Sequence, residues 1–468
     1  MEFDSFKKYL LPSVTILILA NFLLNLIDHQ VIGTISSKTN FLKLISFTIS
    51  CLFFYLVSKE IKIVLNIFSN SLAISIFLLS FYFFDNLFLV FKGNLHPNFT
   101  VTLVSLLWIF LFFINKRSNS SLIILIVYIF IRMFNSINFS YLKNSINYRE
   151  LNYDVIYQWF PITEKIYING LYDAYLNNVI PKQGLVPSHI QSTIHKLLFN
   201  TSSFEFIQIT SSMFLLFFLF LINDLNISKK NKILISILFF SLIFNNQWLY
   251  YLLVNSLMIE GVVSFLFSSI ILNYKNLSEF NKSTRAIYLL SFGYLVLTKQ
   301  FVSLLCLIIF FISFLILKEK LILVSLFPLI FDFLVKMQLK INPSFITHNE
   351  DLDFLELIQN LLLLNNIKFD NIVLIFSNFY NDKPFTIIFI IFIISNLYVI
   401  WSEKNFYSFE NIYFYISIIN LFFILVLYTT YWQNAEELES SYRYIVNLIG
   451  LYFISIATNF EKIENINK

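Results

Sequence analysis

Four ionisable side chains stand beside or inside strongly apolar stretches, where a charge needs an explanation. Asp154 and Glu260 are acids, and Lys299 and Arg443 are cations. A carboxylate beside a membrane surface is partly desolvated, which raises its proton affinity and suits it to act as a general base. A lysine or arginine in such a place is suited to bind an anionic phosphate. These residue types therefore predict proton abstraction together with neutralisation of a phosphate.

Asp154 lies in the aromatic-rich segment NYDVIYQWFPITEK. At about 100° per residue, Asp154, Gln158 and Lys165 fall on one helical face, but Pro161 is a residue that starts a new helix and would break this alignment. The Tyr and Trp rings suit the headgroup layer, so we expect the segment to lie flat on the outer membrane interface. The alternative role of Asp154 is to stabilise a helix N-terminus.

The other three residues also have two interpretations each. A carboxylate within a span costs about 2.5–3.5 kcal/mol on insertion scales, so Glu260 faces either a protein interior or hydrated cavity, or water one turn away. Lys299 lies at a tight outer turn, where it either reaches the headgroups or binds an anion. Arg443 either holds a phosphate or pairs with one of the three glutamates before it.

The segment HNEDLDFLELIQ, from His348, resembles a metal-binding cluster at first sight. A simpler interpretation is that Asp351 caps a helix whose first turn is rich in acids, and this is the one we favour. The sequence therefore identifies no set of metal ligands, and it leaves a requirement for a divalent metal open.

Composition sets the class of protein. Of 468 residues, 58% are hydrophobic and only 13% are charged. A soluble globule this apolar would lack a charged surface, so the chain is predicted to be an all-α polytopic membrane protein. The net charge of +4 does not predict nucleic-acid binding. The presence of only 7 glycines and the absence of a phosphate-binding loop pattern argue against a nucleotide-driven pump.

Apolar runs of suitable length predict about fourteen transmembrane helices. Their ranges are 10–27, 41–57, 63–84, 100–114, 121–137, 204–222, 233–252, 256–273, 286–298, 301–317, 321–335, 385–401, 410–428 and 442–458. The first run is preceded by Lys7 and Lys8 and lacks a small-residue cleavage site, so we expect an uncleaved anchor.

The distribution of positive charge predicts the orientation. With the N-terminus inside, seventeen Lys and Arg residues fall in the inside loops, against only Lys38, Lys92 and Lys299 in the short outside loops. This is the asymmetry of the positive-inside rule. It places Asp154, Glu260, Lys299 and Arg443 on the same outer face of a cytoplasmic (inner) membrane.

Two outer segments are long enough to form extracytoplasmic lobes. They are residues 138–203 and 336–384, both rich in Asn, Tyr and charge. The predicted organisation is a four-helix extension (1–119), a membrane core that includes the first outer segment (120–335), the second outer segment (336–384), and C-terminal transmembrane helices (385–468).

Three strings in this core resemble segments of the bacterial GT-C glycosyltransferases. Asp154-Val-Ile-Tyr-Gln-Trp-Phe-Pro161, followed by Asn169-Gly170, resembles the family's first external loop, D-x-x-x-Y/H-x-x-P with a later N-G. Gly293-Tyr-Leu-Val-Leu-Thr-Lys299 resembles its G-L-x-x-x-T-K segment, and Ser441-Tyr-Arg443-Tyr444 resembles its late R-Y segment. The strings occur in the family's order over roughly residues 120–460. Residues 1–119 lie outside the resemblance.

The resemblance implies a function. Enzymes of this family transfer a sugar from a polyprenyl-phosphate donor to a glycan, lipid or protein acceptor on the extracytoplasmic face. By resemblance, Asp154 would deprotonate the acceptor hydroxyl, and Lys299 and Arg443 would neutralise the departing lipid phosphate. Gln158, Lys165 and Glu260 complete the predicted substrate-binding residues. Membrane lipids are expected partners, and nucleic acid is not.

Two other functions compete with this one. A polysaccharide polymerase or ligase also has many spans and large outer loops but relies on outer arginines, and only Arg149 and Arg443 are clear here. A lipid or solute transporter predicts internal symmetry, Gly- and Pro-rich broken helices and mid-membrane charges. The chain has 7 Gly and 8 Pro, and its charges cluster at one face, which disfavours transport.

Overall fold

The computed structural model describes residues 37–91, 96–115, 120–142, 159–176, 184–199, 207–245, 249, 253, 259–312, 320–339, 368–381, 383–403, 411–430 and 446–466. Every regular element in these ranges is a helix, which agrees with the predicted all-α class. Within the described part of the chain, six helices are long and apolar enough to cross a membrane: Leu42–Leu65, Asn70–Val90, Pro97–Ile114, Lys320–Gln338, Phe385–Glu403 and Ile412–Thr430. The class of membrane protein is therefore supported, while the total of fourteen spans stays a prediction.

The helices are numbered here in chain order. The N-terminal half contains α1 (Ser37–Leu65), α2 (Asn70–Val90), α3 (Pro97–Ile114), α4 (Ser121–Ile137), α5 (Phe139–Leu142), α6 (Phe160–Asn169), α7 (Leu171–Leu176), α8 (Val186–Leu198) and α9 (Ile207–Asp224). The C-terminal half contains α10 (Lys229–Asn245), α11 (Glu260–Asn273), α12 (Lys282–Leu295), α13 (Gln300–Phe311), α14 (Phe327–Gln338), α15 (Asp370–Asn381), α16 (Lys383–Glu403), α17 (Ile412–Thr430) and α18 (Ile449–Ile466). Short 3₁₀ helices cover Tyr274–Glu279 and Lys320–Leu326.

Helix α2 lies at the centre of the helical body. It packs against α1, α3, α8, α9, α11, α12 and α14, and most of its residues are buried. Burial around the whole helix is expected, because its sequence is apolar on nearly every face. The buried polar residues of α2 include Asn70 and Ser71 at its start and Asp85 and Asn86 in its last turns.

At the start of α2, an acid from another helix caps the free backbone donors. Asp224, the last residue of α9, accepts hydrogen bonds from the backbone N–H groups of Asn70 and Ser71 at 2.8 and 2.7 Å. It also accepts from the hydroxyl of Ser69 at 2.8 Å. A carboxylate suits this position because it satisfies helix N-terminal donors and the positive end of the helix dipole. We call this the Asp224 end of the molecule.

The opposite end of α2, the Asp85 end, brings together a different set of chain segments. Asp85 is 2.6 Å from His189, and Tyr175 is 2.6 Å from Asp332. The sequence places all four residues at predicted outer positions, whereas Asn70 and Asp224 lie at predicted inner ones. The residues that meet at the Asp85 end therefore all lie at positions that the charge pattern predicts on the same side of the membrane. Which end faces outside the cell stays a prediction.

Helices α3 and α4 expose broad apolar faces. Their exposed residues include Phe110 and Phe113 on α3 and Ile126, Phe130 and Met133 on α4. Contiguous apolar surface of this kind is unstable in water and is expected where a helix faces lipid. These faces agree with the membrane prediction from composition.

Candidate functional site

Helix α8 is a polar helix in the interior of the protein. All of its 13 residues are buried, and they include Ser188, His189, Gln191, His195 and Lys196. It packs against α2, α3, α4, α6, α9 and α11. The prediction that segment 138–203 forms an extracytoplasmic lobe is not confirmed by this helix, which packs into the helical body. Because buried polar groups require partners, such a helix must be surrounded by complementary polar side chains.

The first of these partners is Asp85. The Nε2 atom of His189 lies 2.6 Å from Oδ2 of Asp85, and the hydroxyl of Thr100 donates to Oδ1 at 2.5 Å. The ring of Tyr82 meets the imidazole edge-on, with 5.1 Å between the ring centroids. The carboxylate fixes the orientation of the imidazole. The pair thus attaches the helix of the predicted outer segment to the last turns of α2.

A second acid lies next to this pair. The hydroxyl of Tyr175 donates to Oδ1 of Asp332 at 2.6 Å, and Nζ of Lys336 is 2.7 Å from Oδ2 of the same carboxylate. The hydroxyl of Tyr82 lies 3.4 Å from that of Tyr175. We call this continuous set the Asp85–Asp332 network; its members are Thr100, Asp85, His189, Tyr82, Tyr175, Asp332 and Lys336. They come from α2, α3, α7, α8 and α14.

Glu260 and Lys299 form a buried ion pair. The Nζ atom of Lys299 is 3.1 Å from Oε1 of Glu260, and their side chains are 1% and 0% exposed. Glu260 starts α11, and Lys299 is the N-cap residue of α13. Glu260 therefore faces the protein interior, as one of its two interpretations predicts. The alternatives, in which Glu260 reaches water and Lys299 reaches the headgroups, are wrong, because each charge is buried against the other.

A glycine docks the predicted outer segment onto the Lys299 turn. Gly184, two residues before α8, has φ +84°, and a Cβ at this position would lie 2.0 Å from the carbonyl oxygen of Leu297. The next turn of chain continues through Thr298 to Lys299. Only a residue without a side chain allows this approach. The segment that precedes α8 and the ion pair are thereby held against each other.

Replacing Gly184 by alanine is expected to lower the free energy of unfolding by at least about 2 kcal/mol. Positive φ and the contact with Leu297 both oppose a Cβ. Denaturant unfolding of the detergent-solubilised full-length chain measures the change. Gly184→Asn separates the effect of positive φ from that of the contact with Leu297, because asparagine tolerates positive φ better than alanine. If the contact dominates, as we expect, Gly184→Asn lowers the free energy of unfolding by as much as Gly184→Ala. Unfolding midpoints equal to that of the unaltered protein in both variants would contradict the close contact.

Lys196 is a buried cation with no carboxylate at ion-pair distance among the residues that the structure describes. Its Nζ donates to Oδ1 of Asn98 at 2.8 Å and lies 4.2 Å from the centroid of the Tyr167 ring. Burial lowers the pKa of Lys196 to about 8; the nearby Arg132 guanidinium adds to this effect, and Asp85 opposes it. Partial desolvation without an acid partner makes this ammonium a candidate ligand for an anion.

The structure describes only part of the predicted site. Asp154, Gln158 and Arg443 lie outside the described residues, as does Asp351. Lys165 lies half-buried on α6, and no ion pair links it to Glu260 or Lys299 among the described residues. The structure therefore brings together two of the six predicted site residues.

The aromatic segment after Asp154 differs from its prediction. Pro161 lies in the first turn of α6, so it does start a helix. Trp159, Phe160 and Tyr167 are 0%, 6% and 2% exposed. The prediction that these rings lie on the membrane interface is wrong, because they pack inside the protein, where aromatic side chains bury large apolar areas.

No group of three His, Cys, Asp or Glu side chains with metal-binding geometry occurs among the described residues. Asp85 and His189 supply two such groups, and the other close partners are Thr100 and Tyr82, which are poor ligands for most divalent metals in proteins.

Sequence reasoning missed the Asp85–Asp332 network and Lys196. A signal was available for the two acids. Asp85 is embedded in FYFFDNLFLV, and Asp332 lies inside the predicted span 321–335. An acid in an apolar run is the feature that singled out Glu260. Lys196 carries no comparable signal, since it lies in the polar stretch SHIQSTIHKL.

Comparisons with known proteins extend neither the fold nor the site: no protein-family model, curated protein or solved structure matches this chain.

Proposed function

We propose that this protein is a membrane glycosyltransferase that moves a sugar from a polyprenyl-phosphate donor to a cell-envelope acceptor on the outer face. One observation carries the proposal. Ionisable side chains from distant parts of an apolar chain are buried against each other, His189 beside Asp85 and Lys299 beside Glu260. Charges inside an apolar helical body are costly and mark functional sites by default.

The docking of the predicted outer segment supports the same proposal. Asp154, the proposed base, lies in segment 138–203. Two helices of that segment, α7 and α8, are bound to the helical body through Tyr175 and His189. Gly184 brings the same segment against the turn before Lys299. A base on this segment is therefore close in sequence to elements that line the Asp85 end.

The proposed reaction replaces the bond between the anomeric carbon of the sugar and the phosphate oxygen by a bond to the acceptor oxygen. The acceptor hydroxyl oxygen attacks this carbon, the bond to the phosphate oxygen breaks, and polyprenyl phosphate leaves with the electron pair. Asp154 takes the proton of the hydroxyl, and a nearby cation stabilises the charge on the departing phosphate. No redox step or additional co-reactant is needed.

Lys196 is the described cation best suited to that phosphate. The charge of Lys299 is already balanced by Glu260 at 3.1 Å. Lys196 instead meets an amide oxygen and an aromatic ring, so its positive charge is available to an anion. In this proposal Lys299 holds the turn before α13 in place. Arg443 stays a candidate, from the sequence, for binding the phosphate.

The test is transfer by the full-length protein in proteoliposomes. A panel of polyprenyl-phosphate-linked sugars, each radiolabelled in the sugar, is supplied with envelope extract as the acceptor. Release of polyprenyl phosphate reports the reaction whichever acceptor is used. We expect turnover with at least one donor. Absence of turnover with every donor, in protein shown to be folded by its unfolding transition, would overturn the proposal.

Replacing Lys196 by glutamine is expected to raise KM for the donor about tenfold, because a charge-assisted contact to phosphate is lost. In the unaltered protein, KM should rise as pH passes from 7 to 9, since the ammonium loses its proton near pH 8. Lys196→Arg should remove that dependence, because arginine stays charged. Lys230→Gln, at an exposed pair with Glu464, is the control and should leave KM unchanged. A pH-independent KM in the unaltered protein would contradict this role.

A further inference from the structure

Lys196 lies close to a second cation, Arg132, at the Asp85 end of the molecule. One turn beyond Arg132 on α4, the amide of Asn135 donates to the carbonyl oxygen of Leu198 at 2.7 Å, which holds α4 against the last turn of α8. Burial lowers the pKa of Lys196, and the Arg132 guanidinium lowers it further. Because two neighbouring like charges repel each other, an anion that contacts both cations stabilises the pair.

Each of the two cations is positioned by a tyrosine. The Nζ atom of Lys196 lies 4.2 Å from the centroid of the Tyr167 ring, and the guanidinium carbon of Arg132 lies 5.5 Å from the centroid of the Tyr128 ring. Nη1 of Arg132 also donates to the hydroxyl of Tyr128 at 2.7 Å. A guanidinium has five N–H donors, so Arg132 can donate to Tyr128 and to an anion at once. The contacts therefore fix both cations in a way that is compatible with anion binding.

The cation pair is reached from the surface at the start of α3. Nζ of Lys196 donates to Oδ1 of Asn98, an exposed residue in the first turn of α3, and Arg132 itself is only half-buried. A ligand therefore approaches from outside the helical body and requires no internal cavity. The Asn98 amide adds two N–H donors beside the ammonium. The charge of Asp85 also acts on Lys196, but this carboxylate pairs with His189 at 2.6 Å.

The surface around these polar groups is apolar. Phe99 and Met133, the chain neighbours of Asn98 and Arg132, are 54% and 58% exposed. Exposed apolar side chains continue along α3 and α4, which pack against each other. A ligand that matches both features has an anionic head and a long hydrocarbon tail, because the tail covers apolar surface while the head meets the cations. A free anion in water would match only the cations.

We propose that Lys196, Arg132 and Asn98 bind the phosphate head of a lipid, whose hydrocarbon tail lies along the exposed faces of α3 and α4. The lipid then enters sideways from the membrane. Naming this lipid as the polyprenyl-phosphate sugar donor, or as the polyprenyl phosphate that leaves, rests on the proposed function. The site also gives the N-terminal extension a role, since α3 belongs to residues 1–119 and supplies Asn98 to a site whose cations come from the predicted core.

Binding of a short polyprenyl phosphate tests the site without any transfer reaction. Radiolabelled farnesyl phosphate is equilibrated with the immobilised full-length protein in detergent, and unlabelled competitors are added at equal concentrations. We expect farnesyl phosphate to displace the label, and farnesol and inorganic phosphate to leave it bound. Equal displacement by farnesol would mean that the cations play no part, and equal displacement by inorganic phosphate would mean that the apolar faces play none. Either result overturns the lipid site, as does the absence of saturable binding.

Arg132→Gln is expected to weaken farnesyl phosphate binding about tenfold, because a charge-assisted contact to phosphate is lost. Arg285→Gln is the matched control. Arg285 is also half-buried and donates to the carbonyl oxygen of Ser278 at 3.1 Å. It lies near the Asp224 end, where its neighbour Thr284 donates to the carbonyl oxygen of Leu65. Arg285→Gln should leave binding unchanged. An equal loss in both variants would mean that binding follows the total charge of the protein, and would overturn the site.

Asn98→Asp separates binding from folding. It places a carboxylate where the amide oxygen now accepts from Nζ of Lys196 at 2.8 Å, so the ammonium gains a partner within the protein. We expect this variant to bind farnesyl phosphate at least about tenfold more weakly, with an unfolding midpoint no lower than that of the unaltered protein. Unchanged binding in Asn98→Asp or in Arg132→Gln would overturn the site.

The two proposals fail in different ways. Turnover of a lipid-linked sugar with an unchanged KM in both Arg132→Gln and Asn98→Asp would remove the lipid site and leave the transferase. Farnesyl phosphate binding that is lost in both variants, in a protein that turns over no lipid-linked donor, would retain the lipid site and remove the transferase.

Discussion

Replacing Lys299 by methionine is expected to lower the free energy of unfolding by about 3–5 kcal/mol. Methionine retains much of the apolar stem but removes the ammonium that lies 3.1 Å from Oε1 of Glu260. Both side chains are almost completely excluded from solvent, so the carboxylate would stay buried without its lysine. Denaturant unfolding of the full-length chain in detergent, followed by tryptophan fluorescence, measures the loss.

Two further variants show that the effect belongs to the buried pair. Removing both charges in Lys299→Met with Glu260→Gln should cost clearly less than the sum of the single changes, because no buried charge is left behind. The Lys462–Glu403 pair has a similar distance of 3.0 Å but side chains that are 20% and 28% exposed. Lys462→Met should therefore cost no more than about 1 kcal/mol. If Lys299→Met also lowered the free energy of unfolding by no more than about 1 kcal/mol, the Glu260–Lys299 pair would not be desolvated.

Replacing Asp154 by asparagine is expected to reduce kcat for sugar transfer by a factor of about 10²–10⁴, the usual contribution of a general base. Asparagine has nearly the same shape but cannot accept the proton of the acceptor hydroxyl. KM for the donor should change little, because the donor phosphate and sugar contact other residues in the proposed site. The measurement is release of polyprenyl phosphate in proteoliposomes, at saturating donor.

Asp173→Asn is the matched control for this change. Asp173 lies in the same predicted outer segment, where it accepts a hydrogen bond from Asn169 at 3.0 Å on the surface. Its replacement should leave kcat within about twofold, since a surface substitution of this kind has a small effect. Full transfer by Asp154→Asn would remove Asp154 as the base. An equal loss in both variants would mean that the segment needs its negative charge for another reason.

The sequence predicted the class of fold because that class follows from local properties. An apolar run of sufficient length forms a helix wherever it crosses lipid, since the backbone must satisfy its own hydrogen bonds there. The described helices Asn70–Val90, Pro97–Ile114 and Ile412–Thr430 accordingly overlap the predicted runs 63–84, 100–114 and 410–428. Which membrane face each helix end occupies stays a prediction from the charge of the loops.

The sequence could not predict which polar side chains pair with each other, because the two members of a pair come from distant segments of the chain. Glu260 and Lys299 each stood out as a charge in an apolar setting, but the sequence offered water, headgroups or an anion as explanations. The structure pairs them across 39 positions of the chain. Nor does any local pattern indicate that the polar helix Val186–Leu198 is buried, since a polar sequence is ordinarily typical of a surface.

By itself, then, the sequence determined an apolar helical protein and the approximate positions of many of its helices. Only the tertiary structure decided that His189 meets Asp85, that Tyr175 meets Asp332, and that Lys299 meets Glu260. The reason is physical: burial of an apolar run is favourable against lipid or any apolar neighbour, whereas a hydrogen bond or ion pair requires two specific atoms within about 3 Å.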